Sequence, residues 1–264
     1  MLGRMFRLGV LCSFAIVPGL LPFSATAQVQ AVEAMSKTAH PSFDVASVKP
    51  SDPNDGSQGF HTEGASLFYE NETLKDLVTF AYGVHPKQIV NAPAWFEKDR
   101  FDVHGHADAP GEPNGPQQSE MTQKLLAERF GLKVHHDKRE MPALSLTVVD
   151  AKKLTPNTSG NGLPDQTGYG SGGAEAWQMT NNSMDEFAQF LGGMQERPVV
   201  NETGLKGRYD FKLNWLRDAG VSPNHSDLPS LPTALQEQAG LSVKRVQTKV
   251  DVLVIDAVHA PSAD

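Results

Sequence analysis

The chain has 264 residues, a formal net charge of −8 at pH 7 and a single cysteine, Cys12. An acidic chain is a poor partner for nucleic acid or an anionic membrane, so we expect neither. One cysteine excludes an intramolecular disulfide and a multi-thiolate metal site. The length allows one large domain or two small ones.

Residues 1–27 have the pattern of a secretory signal peptide. Arg4 and Arg7 precede an apolar run, and the small residues Ala25-Thr26-Ala27 precede a predicted cleavage site before Gln28. The apolar run is short for a membrane-spanning helix. We therefore expect a secreted or periplasmic protein with no membrane span after cleavage; an uncleaved anchor is the alternative.

The mature chain begins with a polar segment, residues 28–42, which is predicted to be a flexible lead-in. Phe43–Pro50 alternates apolar and polar residues and is predicted to be a strand. A second strand, Ala65–Tyr69, leads into a helix that opens with the capping box Thr73-Leu74-Lys75-Asp76. The helix then places apolar residues on one face, at Leu74, Leu77, Val78 and Ala81.

A second helix is predicted from about Glu120 to Phe130, with Gly131 as a left-handed cap. A hairpin follows, in which Leu132–His136 pairs with Ala143–Val149. These elements make up a first α+β subdomain, residues 43–153. Residues 154–174 are rich in Gly, Asn and Pro and are predicted to be a linker or a long surface loop.

Residues 175–258 repeat the same plan as a second α+β subdomain, followed by a tail, residues 259–264. The offset between the copies is 110 residues at Asn71 and Asn181 and 108 residues at Asp102 and Asp210. The repeat includes a second capping box at Ser183, a helix from about Pro232 to Ala239 that ends at Gly240, and a hairpin of Leu241–Arg245 with Val250–Ile255. This register predicts a tandem duplication of a strand-helix-strand-helix-hairpin unit. The predicted fold class is α+β, with mainly antiparallel sheets packed against helices; whether the two subdomains share one sheet is left open.

Four segments of the sequence resemble those of a known family. They are Phe43–Pro50, Leu126–Leu132, Arg197–Phe211 and Val252–Asp256. They resemble the soil-associated secreted family of unknown function that is expanded in certain soil bacteria. Similar domains form the extracytoplasmic part of proteins resembling antibiotic-sensing membrane metallopeptidases, which implies a sensor or ligand-binding role. This chain lacks the His-Glu-x-x-His motif of the peptidase part. More loosely, the unit resembles the N-terminal domains of secretins and outer-membrane receptors, which mediate protein contacts.

Histidines of the first copy are the candidate metal ligands. His104 and His106 lie two residues apart on a predicted strand, so both imidazoles share one face, a geometry that can hold zinc or copper. His135 and His136 lie in the next predicted hairpin. The second copy has no histidine at the matched positions, and two histidines on an edge strand are more often solvated. We expect His104 and His106 to point to solvent, with the other pair too distant to share a metal.

Other motifs favour structural roles. Gly168–Gly173 matches a phosphate-loop pattern formally, but no buried strand and following helix accompany it. Two equivalent pairs of aspartates, Asp102 with Asp210 and Asp150 with Asp256, could be a general acid and base. Their positions on alternating strands favour exposure to solvent or pairing with Arg100 or Arg208. Asn91 and Asn201 favour turns through side-chain to backbone hydrogen bonds.

The sequence therefore predicts a non-enzymatic binding or sensor-like module without a cofactor. Its partner would be an extracytoplasmic protein, a peptide or an envelope component. Trp95 and Trp177 are the candidate ligand-binding residues, because an exposed tryptophan is a frequent feature of binding surfaces. Two alternatives are a metal-dependent hydrolase that uses the histidines of the first copy and a purely structural domain.

Overall fold

The computed structural model describes residues 33–54, 56–159, 162–217 and 227–261. The predicted signal peptide, residues 1–27, lies outside the described residues. The helices of the described residues are α1 (Leu74–Tyr82), α2 (Gly115–Arg129), α3 (Met184–Gly193) and α4 (Leu231–Ala239). The strands are β1 (Phe43–Pro50), β2 (Gly59–Glu63), β3 (Ser66–Thr73), β4 (Ile89–Val90), β5 (Arg100–Ala107), β6 (Lys133–Val148), β7 (Thr155–Pro156), β8 (Asp165–Ser171), β9 (Ala174–Ser183), β10 (Val199–Asn201), β11 (Arg208–Leu216) and β12 (Leu241–Ala257).

The strands form three four-stranded sheets. The first sheet has the order β1-β5-β3-β2, the central sheet β10-β6-β12-β4, and the third sheet β7-β11-β9-β8. Neighbouring strands are antiparallel except for the pairs β10–β6 and β12–β4. The α+β class with mainly antiparallel sheets is therefore confirmed.

The central sheet joins the two predicted subdomains, because it takes β4 and β6 from the first and β10 and β12 from the second. Each predicted subdomain also contributes side chains to the hydrophobic core of the other. Leu253 and Ile255 of β12 are buried in the first core, and Leu146 of β6 is buried in the second. The described residues accordingly belong to one compact unit.

The two predicted hairpins are wrong. β6 and β12 each run without a turn and pair with each other, from Lys133 opposite Ala257 to Val148 opposite Leu241. Neither predicted turn, residues 137–142 or 246–249, contains the Asn-Gly or Asp-Gly pair that favours a two-residue loop. At Pro142, β6 is paired with β12 but not with β10. The missing N–H of Pro142 therefore costs no hydrogen bond to a second neighbouring strand.

The predicted helix caps are confirmed. Thr73 and Ser183 each form a reciprocal capping box with the carboxylate three residues later. Gly131 and Gly240 have positive φ angles of 58° and 64°. The second helix begins earlier than predicted because Asn114 forms its own capping box, and the polar first turns of α2 gave no apolar period.

Helices and sheets enclose two hydrophobic cores. In the first, α1 and α2 pack beneath the first sheet, and in the second, α3 and α4 pack beneath the third. The order β3-α1-β4-β5-α2-β6 is followed by the same order, β9-α3-β10-β11-α4-β12. A duplication as the origin of this order stays a prediction.

The segment predicted to be a flexible lead-in is anchored at the buried Met35 and Pro41, although most of its described residues are exposed. The Met35 side chain is only 4% exposed, and its backbone N–H donates to the Glu112 carbonyl at 2.8 Å. The buried Gln117 amide donates to the carbonyls of Ser36 and Ala39, at 2.8 and 3.1 Å. The apolar Met35 supplies an anchor that the polar composition obscured. At the other end, the backbone N–H of His259 in the predicted tail donates to the Phe130 carbonyl at 2.9 Å.

The predicted linker, residues 154–174, is also wrong in part, because it contains β7 and β8. Strand β8 pairs antiparallel with β9 along its whole length. Its glycines are needed for close packing: a Cβ on Gly168 would lie 2.4 Å from the Ala176 carbonyl oxygen, and one on Gly170 would lie 2.7 Å from the Glu175 carboxylate. Glycine therefore marks a tight strand pair here and not a flexible chain.

Candidate functional site

The two aspartates that were candidate acid–base residues hold the entrances to α1 and α3. Asn71 and Asn181 adopt left-handed conformations, with φ of 54° and 55°, just before the capping residues. Their backbone N–H groups donate to Oδ1 of Asp102 and Asp210, at 2.8 and 2.7 Å. Each aspartate also accepts a side-chain hydrogen bond. The carboxylates thus accept hydrogen bonds from the backbone before each helix. The sequence favoured Arg100 and Arg208 as their partners, but these arginines donate to the carbonyls of Asn71 and Asn181 instead.

The candidate histidines lie on two different sheets. His104 and His106 are exposed on the outer face of β5, which is the strand face that the alternation predicts. Ser66 Oγ lies 2.9 Å from Nδ1 of His106. His135 and His136 lie on β6, where each ring is paired with an aspartate of β12.

Those two pairs cross-link the long strands. Nδ1 of His135 lies 2.9 Å from both carboxylate oxygens of Asp256, and Nδ1 of His136 lies 2.5 Å from Oδ1 of Asp251. Among the described residues, no three His, Cys, Asp or Glu side chains are grouped so that they could hold a metal ion. The metal-dependent alternative therefore gains no support from the positions of these four histidines.

Strands β2, β3 and β5 place three rings side by side on the outer face of the first sheet. His61, Phe68 and His104 lie directly opposite one another in the strand registers. The rings of His61 and Phe68 are nearly parallel, with centroids 4.7 Å apart and an interplanar angle of 3°. The Phe68 ring meets the His104 ring edge-on at 4.9 Å. We call these three residues the aromatic row; both of its histidines are exposed.

The inner face of the same strands fixes the aromatic row. Phe60, one residue before His61, is 38% exposed and lies on the core side of β2, where its ring packs against those of Tyr69 and Phe80 with centroids 4.8 and 5.0 Å apart. The Tyr69 hydroxyl lies 2.6 Å from Thr122 Oγ1, and burial raises the pKa of Tyr69 well above its usual value despite the opposing effect of this hydrogen bond. Because successive side chains on a strand point to opposite faces, inward Phe60 and Tyr69 direct His61 and Phe68 outward.

The outer face extends beyond the row. Val45 of β1 lies opposite His106 and is 68% exposed, and Ser47 lies opposite His104. An aliphatic side chain, a phenyl ring and three imidazoles thus lie on one face of the sheet.

Residues 75–258 match the family model described as "Protein of unknown function (DUF3738)". The chain belongs to the DUF3738 family. No curated protein and no solved structure matches it. Within this DUF3738 protein, His104 lies inside the matched region, whereas His61 and Phe68 precede it, so the aromatic row combines strands from both sides of that boundary.

The tryptophans predicted as ligand-binding residues are packed. Trp95 is half-buried against the first core. The Trp177 ring lies 4.8 Å from the Phe190 ring, and its Nε1–H donates to the Glu175 carboxylate at 2.8 Å. Both tryptophans are half-buried, and Trp177 borders a depression on the third sheet next to the 69% exposed Tyr169.

Sequence reasoning missed His61 and Phe68 of this DUF3738 protein. Strand β2 was not predicted, because it follows a turn-rich loop and is only five residues long. The signal that could have found it is the alternation of Phe60 and Thr62 with His61 and Glu63.

In the described residues, no helix is both long and apolar enough to cross a bilayer.

Proposed function

We propose that this DUF3738 protein is a secreted or periplasmic binding module that contacts a protein of the cell envelope through the outer face of its first sheet. The observation that carries the proposal is the aromatic row, His61, Phe68 and His104. Aromatic side chains are enriched where proteins bind one another, and burying a phenyl ring contributes about 1.5–3 kcal/mol.

The arrangement suits binding better than catalysis. Catalysis needs polar groups that converge on one concave site with a base held by an orienting partner. The aromatic row lies on the outer face of a sheet, and the repeated carboxylates Asp102 and Asp210 are engaged by backbone N–H groups. A rigid sheet face bears the row, so little conformational entropy is lost when a partner covers it.

Three further features support an extracytoplasmic role. The N-terminal sequence has the Ala25-Thr26-Ala27 pattern that precedes signal cleavage. The resemblance to soil-associated secreted proteins points to export from a soil bacterium. The resemblance to the extracytoplasmic part of antibiotic-sensing metallopeptidases points to a sensor-like role. A tandem duplication would have supplied two equivalent sheet faces, of which the first acquired the aromatic row.

The test is capture of a partner from an envelope extract by purified mature protein. The double variant His61→Ala/His104→Ala removes both exposed rings of the row. The matched control, His135→Ala/His136→Ala, removes two exposed histidines from the central sheet. We expect the wild type and the control to retain the same partner and the row variant to lose it.

Equal capture by all three proteins would contradict the proposed surface. N-terminal sequencing of the exported protein provides an independent check on location: it should begin near Gln28, and a retained Met1 would contradict secretion with signal cleavage.

A further inference from the structure

A groove opens at the N-terminal end of α4, on the opposite half of the chain from the aromatic row. Its volume is about 380 Å³. Its apolar lining comes from four elements, with Leu144 of β6, Trp215 of β11, Leu231 of α4 and Val243 of β12. Trp215 is buried and the other three are half-buried, so the apolar floor continues the second core outward.

Two arginines border this floor, and they differ in their partners. Arg217 Nη2 lies 2.6 Å from Oε1 of Glu175, whose side chain is only 5% exposed. The buried carboxylate balances the Arg217 charge. Arg245 has no carboxylate within ion-pairing distance in the described part of the chain, and the described lining residues include no Asp or Glu.

The position of Arg245 follows from strand alternation. Arg245 lies opposite Leu144 in the β12–β6 register and two residues after Val243, so it extends the core-facing side of β12 to the rim of the groove. The neighbouring Lys244 lies opposite Ser145 and faces the other side of the sheet. Among the described residues, Arg245 therefore lies without a paired carboxylate beside an apolar surface, in a protein whose net charge is −8.

The groove lies at the start of the shorter of the two equivalent helices, α4 and α2. α4 has nine residues and α2 has fifteen, although both are followed by a left-handed glycine within two residues. At 1.5 Å per residue, α4 is about 9 Å shorter than α2. The groove opens at the end where α4 begins, beside Leu231.

We infer that this groove binds an aliphatic carboxylate, with the carboxylate on Arg245 and the alkyl chain on the floor of Leu144, Trp215, Leu231 and Val243. The guanidinium fork matches a carboxylate in a two-point contact. A single unbalanced charge favours a monovalent anion. This site is separate from the aromatic row, so it goes beyond the proposed function.

Isothermal titration calorimetry with octanoate, decanoate and 1-octanol, each below its micelle or solubility limit, tests the inference. Octanoate should bind, and decanoate should bind more tightly, because each added buried methylene contributes about fourfold in affinity. 1-Octanol lacks the charge and should bind about tenfold more weakly than octanoate.

Variants locate the charge. Arg245→Gln should weaken octanoate binding about tenfold and leave octanol binding unchanged. Lys244→Gln, which changes the same charge on the opposite face, should leave both unchanged. Quenching of tryptophan fluorescence by the ligand provides a second readout, because Trp215 lies in the groove wall.

Three results with these ligands, and a fourth with a peptide, would overturn the inference. The three are the absence of octanoate and decanoate binding, equal octanoate affinity of the wild type and Arg245→Gln, and equal affinities of the wild type for octanoate and 1-octanol. Tighter binding of a peptide with a free C-terminal leucine than of decanoate would also overturn it, because the occupant would then be a protein terminus.

Discussion

At the scale of single residues, short polar side chains determine where the backbone changes direction. Asn201 Oδ1 accepts hydrogen bonds from the backbone N–H and the hydroxyl of Thr203, at 3.0 and 2.7 Å, and so builds the turn after β10. The sequence predicted this turn, because asparagine commonly bonds to the backbone two residues later. It did not predict the partners of Asp102 and Asp210, because their donors lie between 29 and 53 residues away in the chain.

His85 is a residue whose protonation should affect stability. Its Nδ1 accepts the Lys87 N–H at 3.0 Å, and its Nε2 lies 3.2 Å from the Gln195 carbonyl of the second half. Burial lowers the pKa of His85, an effect that the Gln195 carbonyl opposes and the Lys87 charge reinforces. The neutral ring fits both contacts, whereas a proton on Nδ1 would break the first.

The free energy of unfolding should therefore decrease as the pH falls below about 6.5, because the unfolded chain then takes up a proton that the folded chain resists. The decrease should continue until the pH reaches the lowered pKa of folded His85. His85→Asn keeps an acceptor for the Lys87 N–H but cannot be protonated, so it should lose part of this pH dependence. Urea denaturation between pH 7.5 and 5 measures it; identical slopes for the wild type and the variant would exclude His85 as the cause.

At the scale of elements, α1 and α3 begin with a side-chain cap and α4 does not. Thr73 Oγ1 and Ser183 Oγ each accept a backbone N–H at 3.2 Å, and their own N–H groups donate to Asp76 and Glu186. Ser230, the first residue before α4, has no such side-chain bond to the backbone.

Thr73→Ala and Ser183→Ala should each lower the free energy of unfolding by ~1 kcal/mol, because each leaves a helix N–H without its cap. Ser230→Ala should cost only a few tenths of that, and it serves as the matched control. Denaturation midpoints at an unchanged m-value measure all three. Equal losses at the three positions would show that capping geometry is not what distinguishes them.

The elements that the sequence predicted share one property: their signals are local. Capping boxes, left-handed glycines and apolar periods lie within a few residues of the helix or strand they define. β8 was missed because its glycines and polar residues match a linker composition, and its pairing depends on Trp177 and Glu175 of the next strand. The aromatic row was missed for a related reason, since it needs three strands in register.

At the scale of the whole molecule, the central sheet determines how the halves depend on each other. The sequence predicted two hairpins because adjacent strands usually pair, and nothing local distinguishes a hairpin from two strands that pair across 93 (241 − 148) to 124 (257 − 133) residues. The long pairing of β6 with β12 has two consequences. It completes the first core with Leu253 and Ile255, and it gives β4 its partner, because Ile89 lies opposite Leu253.

Residues 33–153 alone should therefore fail to fold, although they contain a complete strand-helix-strand-helix order. Without β12, the long strand β6 loses its antiparallel partner along its whole length, and the first core is left open where Leu253 and Ile255 pack. An unpaired, partly apolar edge also favours aggregation. We expect no cooperative thermal unfolding of this fragment by circular dichroism. Mixing it with residues 154–261 in equal amounts should restore a cooperative transition, because β6 and β12 can then pair between the fragments. A fragment of residues 33–153 that unfolds cooperatively by itself would show that the first half is an independent domain and that the central sheet only joins two finished units.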